Sequence, residues 1–160
     1  MCGIFGSTNI ETYKQLYDVN KIRGTFSYGS MYMNGKDEYE IRRLQGTADL
    51  SKEDLIASMY NIFLGHTQAP TSSQREYTER TSHPFDDLYH VVAHNGVLEN
   101  AEMIENEYLI GHLNPVDSSV IPALIGILYD TDIRVHNIEA DEANTKTGEV
   151  EFLRLSLTLK

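Results

Sequence analysis

Positive charge is scarce in this sequence. Lysine and arginine number 13 against 24 aspartates and glutamates, for a formal net charge of −11. Such a surface repels phosphate backbones and anionic lipid heads, which excludes nucleic acid and acidic membranes as natural partners. Cysteine is nearly absent: the single Cys2 cannot form an intramolecular disulfide, which favours a reducing compartment. Long apolar runs are missing as well. The longest extends from Val120 to Tyr129 and contains Pro122 and Gly126. A membrane span needs roughly 18 or more apolar residues. The N-terminus shows no basic region followed by a long apolar core, so the expected location is the cytoplasm. Low-complexity tracts, internal repeats and a Pro/Gly/Ser linker are also lacking. What remains is ordinary globular material: 160 residues, 41% hydrophobic and 23% charged, read as a single domain over 1–160.

Strands and helices can be read along the chain. Cys2 to Gly6 is short, apolar and bounded by glycine, which reads as a strand. Thr8 to Glu11 fits a capping box, and Tyr13, Leu16 and Tyr17 recur at helical spacing, predicting a helix from Asn9 to Ile22. Phe26–Met33 and Glu38–Leu44 read as a hairpin turning at Asn34-Gly35. A second helix opens at Ser51, followed by a strand over Ile62–Thr67. Ala69–Pro84 is a long polar loop, and Leu88–Ala93 a buried strand. A short helix covers Glu99–Tyr108, a further helix starts at Asp117 with Pro122 in its first turn, and Val150–Leu159 alternates like a last strand. Interleaved hairpins and helices imply an α+β fold rather than a doubly wound parallel sheet.

Four places could carry chemistry. Removal of Met1 would give Cys2 both a thiol and a free α-amine, whose reference pKa of about 7.7–8.0 suits a base at neutral pH. The alternative for Cys2 is a small apolar residue opening a strand. Asn95 and Gly96 can aim a side-chain amide and a backbone N–H at one oxyanion, or simply turn the chain. Gly65 to Thr71 leaves a strand for the long loop, where substrate contacts concentrate. Asp117 opens a helix, as an N-cap also would. The histidines His66, His83, His90 and His94 lack metal-ligand spacing, so no metal and no cofactor are expected.

In combination these segments acquire an order. Met1-Cys2-Gly3-Ile4-Phe5-Gly6 is similar to the start of the class II glutamine amidotransferase domain, the N-terminal-nucleophile glutaminase of glucosamine-6-phosphate synthase and amidophosphoribosyltransferase. Arg23-Gly24-Thr25-Phe26-Ser27-Tyr28-Gly29 resembles the family's Arg-Gly-x-x-Ser-x-Gly. Gly65-His66-Thr67 with Thr71 resembles Gly-His-Thr-Arg-x-x-Thr. His83-Pro84, His94-Asn95-Gly96-Val97-Leu98-Glu99-Asn100 and Asp117-Ser118-Ser119-Val120-Ile121 resemble three further family segments in the same order. The resemblance covers residues 2–128, leaving 129–160 as a divergent or truncated end.

That resemblance implies an N-terminal-nucleophile αββα sandwich, incomplete in its C-terminal strands. It implies glutamine as substrate, hydrolysed to glutamate and ammonia through a Cys2 thioester, with Asn95 and Gly96 holding the oxyanion. Asp117 would meet the substrate α-ammonium, and Thr71 lies in the substrate-binding segment. Gln68 stands where the family has a carboxylate-gripping arginine. A neutral donor contributes about 0.5–1.5 kcal/mol where a charged one contributes about 1.5–3. Arg75 or Arg80 is expected to compensate. Arg23, Gly24, His66 and His94 are expected to support the site rather than react. The short end further implies a fragment, a reduced fold, or a synthase partner in trans, and suits a stand-alone phage-like domain. Two rivals accompany this reading: a catalytically inactive glutaminase-like binding or regulatory module, and an N-terminal cysteine hydrolase of another amide.

Overall fold

The computed structural model describes residues 2–52, 58–70, 76–87, 89–111, 114–130, 138–140 and 153–155. The chain enters as strand β1 (Gly3–Ser7), forms helix α1 (Ile10–Asn20) with a 3₁₀ turn at Lys21–Arg23, and returns as β2 (Ser27–Met33). Strands β3 (Tyr39–Gln45) and β4 (Ile62–Gln68) complete a four-stranded sheet ordered β1-β4-β2-β3, antiparallel at every pairing.

Strand alternation gives the sheet two faces. Phe5, Tyr28, Tyr32 and Phe63 point to one face, where Tyr13 and Tyr17, one helical turn apart on α1, complete a buried cluster with Leu50. Aromatic rings fill it, with Phe5–Tyr13 centroids 5.1 Å apart and Tyr17–Tyr28 edge-on at 5.0 Å. Their hydroxyls are not wasted in this apolar space: Tyr13 and Tyr28 share a 2.7 Å hydrogen bond, and the Tyr17 hydroxyl donates to the Ala48 carbonyl and accepts its N–H. Gly65 leaves room for the Phe5 ring of β1 and for Tyr13 of α1, since a Cβ there would lie 2.3 Å from the ring and 2.7 Å from the Tyr13 hydroxyl.

Two local expectations shift. The N-cap of α1 is Asn9 rather than Thr8: its extended backbone lets the side chain accept the Thr12 N–H at 2.9 Å. The β2–β3 connection is also longer than a two-residue Asn-Gly turn. The Asn34 side chain accepts N–H groups from Lys36 and Glu38, and the positive φ of 61° falls on Asp37.

The second sheet face carries Gly29, His66 and Gln68. His83 crosses it, its ring 4.4 Å from that of His66 and its carbonyl where a Gly29 Cβ would stand. The end of the long loop at His83 thus begins a second layer, which continues as β5 (Phe85–Asp86) paired with β6 (Val91–Val92). The buried strand expected over Leu88–Ala93 is only this half-buried pair of valines, and Leu88 lies outside the described residues. Helix α2 (Ala101–Glu107) and helix α3 (Val120–Asp130), the latter entered through a 3₁₀ turn at Asp117–Ser119, bury Ile104, Val120, Leu124 and Leu128 against each other. A further antiparallel pair joins β7 (Ile138–Ala140) to β8 (Leu153–Leu155). The helix expected from Ser51 appears as a 3₁₀ turn at Leu50–Lys52, and its continuation lies outside the described residues. The architecture is mixed α and β with antiparallel sheets. Among the described residues no helix is long and apolar enough to cross a membrane.

Candidate active site at Cys2

Cys2 precedes β1 and is 4% exposed. Its position follows from three glycine-permitted contacts. Gly3 packs against the end of α1, where a Cβ would lie 2.5 Å from the Asn20 side-chain oxygen and 2.7 Å from the Thr67 hydroxyl. That hydroxyl donates to the Asn20 carbonyl at 3.0 Å, so helix end and strand end are joined behind Cys2. Gly24 lies against the Gln68–Ala69 peptide, and a Cβ there would stand 2.4 Å from the Gln68 carbonyl carbon. The Phe26 N–H donates to the Gln68 carbonyl at 3.0 Å, which holds the Gly24 loop in place. Arg23, at the last position of the 3₁₀ turn, is exposed.

The sulfur sits over the peptide that follows β4. The Ala69 N–H donates to Cys2 Sγ at 3.4 Å, and the thiol points back to the Ala69 carbonyl at 4.0 Å. Across 93 positions of sequence, the Asn95 side-chain amide donates to the Cys2 carbonyl at 3.4 Å. The nucleophile candidate and the oxyanion candidate therefore meet.

The turn that carries Asn95 and Gly96 rests on the start of α3. His94 Nδ1 lies 2.8 Å from the Ser118 hydroxyl, which donates to Asp117 Oδ1 at 3.2 Å. The other Asp117 oxygen accepts the Leu98 N–H. Gly96 stacks on the His94 ring, where a Cβ would come within 2.7 Å of Nε2. Burial lowers the His94 pKa below its usual value because imidazolium is poorly solvated there, and Asp117 offsets this only in part.

Gln68 differs from its expected place facing substrate. It is 2% exposed, with Oε1 3.2 Å from His83 Nδ1 and its amide nitrogen donating to the Ala69 carbonyl. It supports the peptide beneath the sulfur. His66 is likewise buried, stacked on His83. Thr71 and Arg75 lie outside the described residues. Arg80 lines a separate cleft of about 650 Å³ with Tyr39, Arg43 and Asn114, whose walls include neither Cys2 nor Asn95. Sequence reasoning missed Ser118 and Ala69. A serine after an aspartate and an alanine at a strand end carry no signal of their own, because both act through contacts that only the fold creates. Among the described residues no group of three His, Cys, Asp or Glu side chains could hold a metal ion.

This geometry can be set beside known proteins. The chain is similar to glutamine–fructose-6-phosphate aminotransferases. It is 31% identical over 140 residues to the isomerizing enzyme of Streptococcus pneumoniae, covering 82% of this chain and 23% of that protein. It is 28% identical over 138 residues to that of Streptococcus pyogenes, with the same coverage of each. A 7-cyano-7-deazaguanine synthase of Sulfolobus acidocaldarius is 30% identical over 91 residues, 57% of this chain and 18% of that protein. The chain thus spans about a fifth of the length of the curated relatives it matches. No family model matches it. These similarities are consistent with a class II glutamine amidotransferase domain.

Proposed function

We propose that this chain is a class II glutamine amidotransferase domain of the N-terminal-nucleophile αββα type. In this reading it hydrolyses glutamine to glutamate and releases ammonia, which a synthase partner consumes. The observation that carries the reading is the meeting of Asn95 with Cys2, together with the Ala69 N–H directed at the sulfur. The similarity to aminotransferases that use glutamine by name supports the same chemistry.

The reaction follows from these groups. Once Met1 is removed, the Cys2 α-amine takes the thiol proton, and the sulfur attacks the glutamine side-chain carbonyl carbon. A C–S bond forms, and negative charge gathers on the oxygen, where the Asn95 amide and the Gly96 N–H stabilise it. The protonated α-amine then returns its proton to the leaving nitrogen, the C–N bond breaks, and ammonia departs. Water attacks the thioester, releasing glutamate and restoring the thiol. Asp117 receives the substrate α-ammonium, since a carboxylate with two accepted hydrogen bonds keeps lone pairs free. The α-carboxylate falls to the loop holding Thr71 and Arg75, because Gln68 is committed to His83.

The test is intact mass before and after treatment with diazo-oxo-norleucine, a glutamine-shaped electrophile. The expected result is a chain lacking Met1 that gains one adduct, mapped to Cys2. A chain that retains Met1 has an amide in place of the basic amine, so no adjacent base takes the thiol proton. Retention of Met1, or its loss with no adduct, overturns the reading in favour of an inactive glutaminase-like module.

A further inference from the structure

The turn from His94 to Leu98 is held at two points, and both lie on the 3₁₀ turn that opens α3. Leu98 is held by its N–H on Asp117, and His94 by its ring on Ser118. Between these points stand Asn95 and Gly96, both exposed and so not fixed by burial of their own. Ser118 is 1% exposed, and its hydroxyl has one proton for two neighbours. The chemistry assigns that proton. A carboxylate is acceptor only, so a Ser118 hydroxyl that turned its proton to His94 would face Asp117 Oδ1 with lone pairs across 3.2 Å. The proton therefore goes to Asp117. Ser118 Oγ must then accept from His94, and the ring nitrogen 2.8 Å away must carry a hydrogen. The other ring nitrogen meets Gly96, where no side chain fits.

We propose that Ser118 is a positioning residue, which together with Asp117 clamps the His94–Leu98 turn by holding the His94 ring with its hydrogen on Nδ1. The run Nδ1–H to Oγ–H to carboxylate has one direction, and it fixes the ring against Gly96 and aims Asn95 at Cys2. The role of that aim in catalysis rests on the glutaminase reading above. The clamp itself does not. The aspartate that would receive the substrate amine is thus also the anchor of the oxyanion turn, so one carboxylate ties binding to the reacting centre.

The experiment uses the full chain labelled with nitrogen-15, reading the His94 ring nitrogens by their long-range proton correlations, alongside glutamine hydrolysis. The expected wild-type ring is protonated at Nδ1. Ser118→Ala should abolish that preference and move the Asn95 and Gly96 amide signals, and Ser118→Thr, which keeps the hydroxyl, should restore both. In hydrolysis S118A should lower kcat about tenfold, short of the 10²–10³ lost when an oxyanion donor is removed outright, with KM little changed. A wild-type ring protonated at Nε2 overturns the clamp, and this holds even if S118A does not fold. So does an S118A spectrum unchanged at His94, Asn95 and Gly96. Nδ1 protonation and its loss in S118A, in a wild-type chain that does not hydrolyse glutamine, would support the clamp and overturn the glutaminase reading instead.

Discussion

At the scale of single residues, the site is shaped by side chains that are missing. A methyl at position 24 would press on the Gln68 carbonyl carbon at 2.4 Å and the Ala69 nitrogen at 2.6 Å. Backbone cannot swing aside as a side-chain tip can. Gly24→Ala should therefore push the Ala69 N–H away from Cys2 and cost about 1–3 kcal/mol, the usual penalty of overpacking. Thermal unfolding together with the rate of Cys2 labelling measures both effects, and wild-type values for the two would show that the peptide yields. His94 supplies a pH dependence whose sign is fixed by its environment. Its pKa is lowered by burial, so the unfolded chain takes up a proton near the usual 6.5 while the folded chain resists until lower pH. Its contribution to stability is full above the unfolded value and is lost as pH falls through the window between the two. From about pH 7 to about pH 5, urea midpoints of the wild type should fall more steeply than those of His94→Asn. Parallel curves would mean that the ring is as well solvated folded as unfolded.

At the scale of elements, the sheet and its second layer are joined by polar groups of β3. Arg43 on β3 donates from Nε to the Pro84 carbonyl at 2.7 Å and from a terminal nitrogen to Asp86 at 2.5 Å. The Tyr39 hydroxyl, at the first residue of β3 and on the same face as Arg43, reaches the Asp87 carbonyl at 3.3 Å. Charged hydrogen bonds contribute about 1.5–3 kcal/mol, and the half-exposed Asp86 places this pair toward the lower end. Arg43→Ala should accordingly raise amide exchange over 83–87 while leaving β2 and β4 protected, and equal exchange in both proteins would assign the coupling elsewhere. This division also explains what the sequence could convey. α1 and β2 were legible because aromatic residues recur on one face of each, Tyr13 with Tyr17 on the helix and Tyr28 with Tyr32 on the strand, whereas β3, none of whose residues is fully buried, was legible only as the second arm of the hairpin. The β5–β6 pair was not, because two-residue strands have no period to read. Nor was the crossing of His83 over Gly29, which depends on an absent Cβ in a distant strand. Asn34 misled for a related reason: its side chain builds the turn, so the left-handed residue is Asp37 and not the neighbouring glycine.

At the scale of the whole molecule, the candidate site belongs to neither layer alone. Ordered motifs named Cys2, Asn95, Gly96 and Asp117 as one candidate group, whereas the hydrogen bonds among them were not legible, since 93 positions separate Asn95 from the Cys2 carbonyl it meets. Cys2 is seated by the sheet through Ala69, and Asn95 by the second layer through His94 and Ser118. The buried cluster of α1 and the sheet shares no residue with that of α2 and α3. Arg43 joins the layers through its bonds to Asp86 and Pro84, which are polar and partly exposed, and polar bonds at such sites open at lower free energy than a packed aromatic cluster. Mild denaturant should therefore part Asn95 from Cys2 before it melts the sheet. The chain has no tryptophan, and Tyr13, Tyr17, Tyr28 and Tyr32 all lie in the sheet cluster, so near-ultraviolet circular dichroism reports chiefly on that core. Along a urea titration, Cys2 labelling by the glutamine analogue should fail at a lower concentration than the tyrosine signal. Nonspecific thiol reagents should meanwhile label Cys2 no faster until the sheet itself opens, because the peptide after β4 still covers the sulfur. Coincident transitions for all three probes would instead make the two layers one cooperative unit, with the site as stable as the fold.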